Sequence, residues 1–144
     1  MRKNNANAYL GVLSKVLQGT EDEANDMNAD FEKIRQALDN QAVASLSTDD
    51  LTAVQAHFQK GTDGYTDKRN QLEQASAPVR ILGKHKALVA AFRTYTEGCQ
   101  AMTDAIHPAD QTVDEAAFNA AEKTQENAME KVTSYMQRIM TSPM

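Results

Sequence analysis

An all-α domain, arranged as an antiparallel up-down-up-down four-helix bundle, is the fold this sequence predicts, and three observations predict it. Apolar residues recur at alternating steps of three and four along most of the 144 residues, a spacing that gathers them on one face of a helix. Only three prolines interrupt the chain. Its apolar volume comes largely from 22 alanines and seven methionines, all helix-compatible. Val, Ile, Leu and Phe together number 25, a share that signals disorder only when net charge is also high; here it is −5. The length suits one domain spanning residues 1–144.

The first helix is expected near residues 6–40, where Leu10, Leu13, Leu17, Thr20, Ala24, Met27, Phe31, Ile34 and Leu38 form an unbroken coiled-coil-like seam. A second, near 49–76, carries Leu51, Val54, Phe58, Gly61, Tyr65, Lys68, Leu72 and Ala75. Ser47-Thr48-Asp49-Asp50 supplies its cap oxygen and early acids facing the helix dipole, and Pro78 ends the connection that follows. The third, near 79–107, reads Ile81, His85, Leu88, Phe92, Tyr95, Cys99, Met102 and Ile106 before His107-Pro108. The fourth, near 113–140, opens on Thr112-Val113-Asp114-Glu115, a capping-box pattern, and continues through Phe118, Ala121, Gln125, Ala128, Val132, Tyr135 and Ile139.

Short connections make consecutive helices antiparallel neighbours, and the numbering supports this. Leu38 with Leu51, Phe31 with Phe58, Ala24 with Tyr65 and Leu17 with Leu72 share one constant sum. The second helix against the third, and the third against the fourth, behave likewise. Large residues then face small ones layer by layer, as close packing requires. Met27 and Tyr95 meet Gly61 and Gln125; Tyr65 and Phe92 meet Ala24 and Ala128.

Two places invite a functional reading. In the central layer Gln125 faces Tyr95, and a buried amide needs a partner. A Tyr–Gln hydrogen bond fixing register is one reading; a ligand cavity lined by Gly61, Tyr95 and Gln125, where Gly61 and Gly64 remove volume, is the other. Charge is the second place. Residues 1–19, 66–93 and 129–144 carry +3, +4 and +1, whereas 20–65 and 94–128 carry −7 and −6. In an antiparallel bundle this polarises the molecule. A basic end formed by Lys68, Arg69, Arg80, Lys84, Lys86 and Arg93 suits an anionic membrane surface, a polyanionic polymer or an acidic protein patch. Nucleic acid fits poorly, because the chain as a whole is acidic and the patch lacks interleaved aromatics for base stacking.

Catalysis, cofactor and metal all lack a signature. Cys99 falls between phenylalanines, which favours a buried, inert thiol, and one cysteine excludes an internal disulfide. No Glu-x-x-His pair, haem-attachment motif or glycine-rich phosphate loop occurs. His85 reads as a hydrogen-bonded seam histidine. The longest apolar run, Ala87 to Phe92, is far below the ~18 residues of a membrane span. Arg2-Lys3 leads into Asn4, Asn5 and Asn7 rather than a signal core, so a soluble chain that carries no address is expected, extracytoplasmic if a signal segment was removed and otherwise cytoplasmic.

From Gly83-Lys84-His85-Lys86-Ala87-Leu88 through Phe92, Tyr95, Met102 and Ile106, then the Thr-Val-Asp-Glu entry, the chain resembles the helical domain of small Gram-positive cell-wall-binding surface lipoproteins. That resemblance implies an extracytoplasmic, non-enzymatic domain tethered at its N-terminus, with the basic end beside the membrane. The chain departs from it in lacking a lipid-accepting cysteine near its start. The expected function is that of a non-catalytic interaction domain. The alternatives are a small-molecule sensor or carrier using the central layer, and an oligomer built through apolar flanks at Val12, Val16, Leu82, Val89, Met129 and Met136.

Overall fold

The computed structural model describes the backbone from Arg2 to Met144 and the side chains from Ala6 onward. Arg2 and Lys3, counted above in the basic end, lie outside the described side chains. The fold is all-α, with four helices: α1 (Arg2–Asp39), α2 (Thr48–Gln74), α3 (Leu82–Asp104) and α4 (Glu115–Met140). Single 3₁₀ turns lie at Val43–Ser45, Val79–Ile81 and Pro108–Asp110. A small antiparallel ribbon, β1 (Ile106–His107) with β2 (Thr112–Val113), links α3 to α4.

Each boundary has a local cause. Helix α1 ends in a Schellman motif in which Ala42 N donates to Ala37 O at 2.7 Å and Gln41 N to Leu38 O at 3.2 Å. The motif places Gln41 at φ 54°, a position glycine would occupy at less cost. Helix α2 begins as expected: Ser47 Oγ accepts from Asp50 N at 3.0 Å, and Ser47 N donates to Asp50 Oδ2 at 3.1 Å. These bonds hold the Asp50 carboxyl below the usual range. The end of α3 is closed from outside, by Gln55 Nε2 donating to Thr103 O at 3.0 Å and Ile106 O at 2.8 Å.

The start of α4 differs from expectation. Thr112 and Val113 pair with His107 and Ile106 in the ribbon, so their backbone is extended and Thr112 cannot cap. Asp114 takes that role, its Oδ1 accepting from Ala117 N at 3.0 Å. Asp114 N in turn donates to Ala105 O at 2.8 Å.

The core divides into two clusters. One contains Tyr9, Leu13, Val16, Tyr65, Leu72, Phe92, Val132 and Ile139; the other contains Ile34, Leu38, Leu51, Phe58, Met102 and Phe118. Met27 packs against both. In the first half of α1 the buried stripe is Tyr9, Leu13, Val16 and Thr20, with Leu10 and Leu17 only half-buried. An α-helix turns once per ~3.6 residues, not 3.5. Counted back from Leu38, that period reaches 16 and 9 where a strict heptad reaches 17 and 10. The same drift buries Met136 on α4 and leaves Tyr135 half-buried. Val16 and Met136 are therefore core rather than apolar flanks, and Val12, Val89 and Met129 are half-buried against the first cluster.

Helix α3 packs most closely against α4, whereas α1 touches α4 far less. Gly98 explains the first: a Cβ there would stand 3.0 Å from Gln125 Cγ and 3.4 Å from Gln125 N. Arg35 bridges the second. Its Nη1 donates to Asn119 Oδ1 at 2.8 Å and Glu122 Oε1 at 3.3 Å, and its guanidinium lies 5.4 Å from the Phe118 ring centre.

Candidate functional site

Where the two clusters meet, the interior is incompletely filled. A cavity of about 160 Å³ opens there, with Ala24, Met27, Asn28 and Phe31 of α1 on one side and Phe58, Thr62 and Tyr65 of α2 on another. Tyr95, Cys99, Met102 and Thr103 of α3 and Gln125 of α4 complete the wall. Two residues of its wall, Ala24 and Asn28 of α1, are exposed. From Tyr95 and Gln125 a shallow groove continues along α4 past Met129 and Thr133 to Gln137.

Of the three residues expected to line a cavity, Tyr95 and Gln125 do and Gly61 does not. Gly61 acts at one remove: a Cβ there would overlap the Met27 sulfur, so the missing side chain lets that thioether lie against α2. The expected Tyr95–Gln125 hydrogen bond is replaced by another. Gln125 Nε2 donates to Gly98 O at 3.0 Å, with Met102 Sδ at 3.6 Å, because the close approach of α3 and α4 offers it a backbone carbonyl.

Tyr65 is the lining residue whose role the heptad pattern conceals. Its side chain is wholly buried, its ring meets that of Tyr95 edge-on with centroids 5.1 Å apart, and its hydroxyl has no hydrogen-bond partner among the described residues. A faint signal existed, since its expected layer paired it with two alanines. Burial pushes Tyr65 up to about 12 and Tyr95 still higher, and it pushes the Cys99 thiol up to about 12. All three therefore hold their protons at neutral pH. A protonated, enclosed thiol is a poor nucleophile. The threonine hydroxyls of the wall are engaged: Thr103 Oγ1 donates to Cys99 O at 2.9 Å, and Thr62 Oγ1 lies 3.5 Å from Thr103 Oγ1.

Beside the cavity α1 is fastened to α2 by His57, whose Nδ1 lies 2.6 Å from Asp30 Oδ2 and whose Nε2 lies 2.8 Å from Asp26 Oδ2. Hydrogen bonds to the two carboxylates raise the His57 pKa above its ordinary value. Sequence reading does not find this clamp, because it depends on helix register at single-turn resolution.

The six expected surface cations separate into two groups. Lys68 lies 3.8 Å from Glu23, its stem laid over Gly19. Arg69 and Arg93 share Glu73 Oε1, at 3.9 and 2.6 Å. Arg80, Lys84 and Lys86 are exposed and form no ion pair among the described residues; Lys84 Nζ donates to Ser142 Oγ at 2.6 Å. No Asp or Glu occurs between Glu73 and Glu97 or after Glu130. At this same tip stand the three large apolar side chains that are strongly exposed among the described residues: Val79 (89%), Leu82 (40%) and Met140 (43%).

Among the described residues no three His, Cys, Asp or Glu side chains are placed to hold a metal ion, and no helix is long and apolar enough to cross a membrane. No protein-family model, curated protein or solved structure matches the chain.

Proposed function

We propose that this chain is a non-catalytic, antiparallel up-down-up-down four-helix bundle that docks by one tip on an anionic membrane surface. Facing pairs support the topology. Met27 with Gly61, Glu23 with Gly64 and Gly19 with Lys68 keep an almost constant sum of residue numbers between α1 and α2. Gln55 with Thr103 and Gln59 with Gln100 do so between α2 and α3.

The observation that carries the functional reading is that unpaired bases and exposed apolar side chains coincide. Arg80, Lys84 and Lys86 form no ion pair among the described residues, and each cation held near an anionic lipid surface contributes about 1 kcal/mol. Val79, Leu82 and Met140 distinguish lipid from a hydrophilic polyanion, because only a bilayer offers an apolar phase to receive them. The resemblance of the segment beginning at Gly83 to cell-wall-binding surface lipoproteins agrees with a basic end beside a membrane. With three bases and three apolar residues the attachment is weak and reversible, suited to orienting a domain held by other means.

Sedimentation with phosphatidylglycerol-rich vesicles tests the reading. Binding is expected to fall steeply between low and physiological salt and to be absent from pure phosphatidylcholine. Replacing Arg80, Lys84 and Lys86 with Gln should abolish it, whereas replacing Lys68, Arg69 and Arg93 should change it little. Equal binding to both lipids, or binding to a soluble polyanion but not to vesicles, would overturn the proposal.

A further inference from the structure

We propose that the cavity between the two core clusters is a binding site for a small, uncharged, single-ring molecule bearing one hydroxyl or carbonyl oxygen, which pairs with the Tyr65 hydroxyl. The site is independent of the membrane-facing tip.

Size sets the first limit. About 160 Å³ is close to an engineered apolar cavity of ~150 Å³ that holds one benzene ring, so a single ring with one or two substituents fills it. The wall chemistry sets the second. Met27, Phe31, Phe58 and Met102 surround the space with thioethers and aromatic rings, surfaces that adapt to a flat apolar guest.

Polar specificity comes from Tyr65. A buried hydroxyl without a partner is costly; that of Tyr65 is wholly enclosed in the cavity wall and meets no partner at hydrogen-bond geometry among the described residues, the Tyr95 hydroxyl being the neighbour it faces. Two other polar groups of the wall are already engaged: Gln125 Nε2 by the Gly98 carbonyl, and Thr103 Oγ1 by the Cys99 carbonyl. The Tyr65 hydroxyl is the fully enclosed position of the wall that awaits the guest. Charge is excluded by the same wall, which contains no cationic or anionic side chain; an ion entering it would lose its hydration without gaining a counter-ion. The guest enters beside Ala24 and Asn28, the exposed members of the wall.

A titration series of p-cresol, toluene and benzoate, followed through the methyl resonances of Met27 and Met102, tests the assignment. p-Cresol is expected to shift both methyls and to bind about tenfold more tightly than toluene, the worth of one hydrogen bond to a buried, otherwise unpaired group. Benzoate should not bind. Tyr65→Phe should leave toluene affinity unchanged and erase the preference for p-cresol. That variant removes an unpaired hydroxyl and should fold at least as well as the parent. Gly61→Ala should drive Met27 into the cavity and weaken both neutral guests. If toluene and p-cresol bind equally to the parent, the polar assignment is wrong. If none of the three moves either methyl, the cavity holds water and the proposal falls.

Discussion

Tyr9 Oη lies 2.8 Å from His85 Nδ1, with both side chains buried and the rings edge-on at 5.3 Å. This bond joins α1 to α3 inside the cluster at the terminal end of the molecule. Burial lowers the His85 pKa below its unfolded value of about 6.5, so the native state binds fewer protons than the unfolded chain over that range. Stability should hold above about pH 6.5 and decline as the pH falls below it. Urea unfolding of the parent and His85→Gln from pH 8 to 5 checks this: the gap between the two should narrow on acidification. Tyr9→Phe should cost about 1–3 kcal/mol at pH 7 by orphaning the imidazole nitrogen; a loss within error would show that the bond contributes nothing.

His57 titrates in the opposite sense. Its two carboxylate partners raise its pKa above the unfolded value, so the stabilisation is complete below about pH 6.5 and is lost as the pH climbs through the raised value. The parent should exceed His57→Gln in stability most at pH 6 and least near pH 9. Because the clamp is partly exposed, added salt should shrink the difference. A gap that widens with pH would contradict the arrangement.

Phe92 marks the centre of the first cluster, wholly buried and packed near Tyr95 with ring centres 6.1 Å apart. Phe92→Ala should lower unfolding free energy by about 3–5 kcal/mol, the transfer cost of an aromatic side chain plus the void it leaves. Thermal and denaturant melts should agree on the loss. A loss below about 1 kcal/mol would mean that the cluster collapses around the gap or that Phe92 lies outside it.

Much of the architecture is legible because helix formation is local. Four stripes, the Ser47 cap and the Pro78 break depend on residues a few positions apart, and each element lies within a few residues of where the spacing puts it. Where the heptad drifts from the true helical period, the reading slips by one residue, which is why Tyr9 and Val16 stand in place of Leu10 and Leu17. The α4 cap is misplaced for another reason: Thr112 is drawn into a ribbon with His107, a pairing that no helical spacing signals.

The candidate sites were less legible, because each depends on which side chains meet across helices. Tyr95 and Gln125 could be put in one layer by counting, but that Gln125 would find the Gly98 carbonyl depends on how closely α3 and α4 approach. Likewise, six bases can be counted in one region of the chain. Only their distances to Glu23 and Glu73 divide them into a paired group and a free one.

By itself the sequence determined the number of helices, their approximate bounds and their inward faces, since periodicity and capping act through neighbours along the chain. Tertiary structure alone decided that, among the described residues, Tyr65 would keep an unpaired hydroxyl beside a void, that His57 would bridge two acids of another helix, and that Arg80, Lys84 and Lys86 would form no ion pair. Hydrogen bonds and ion pairs change over a few ångströms, less than one helical turn, and that precision arises only when the helices pack against one another.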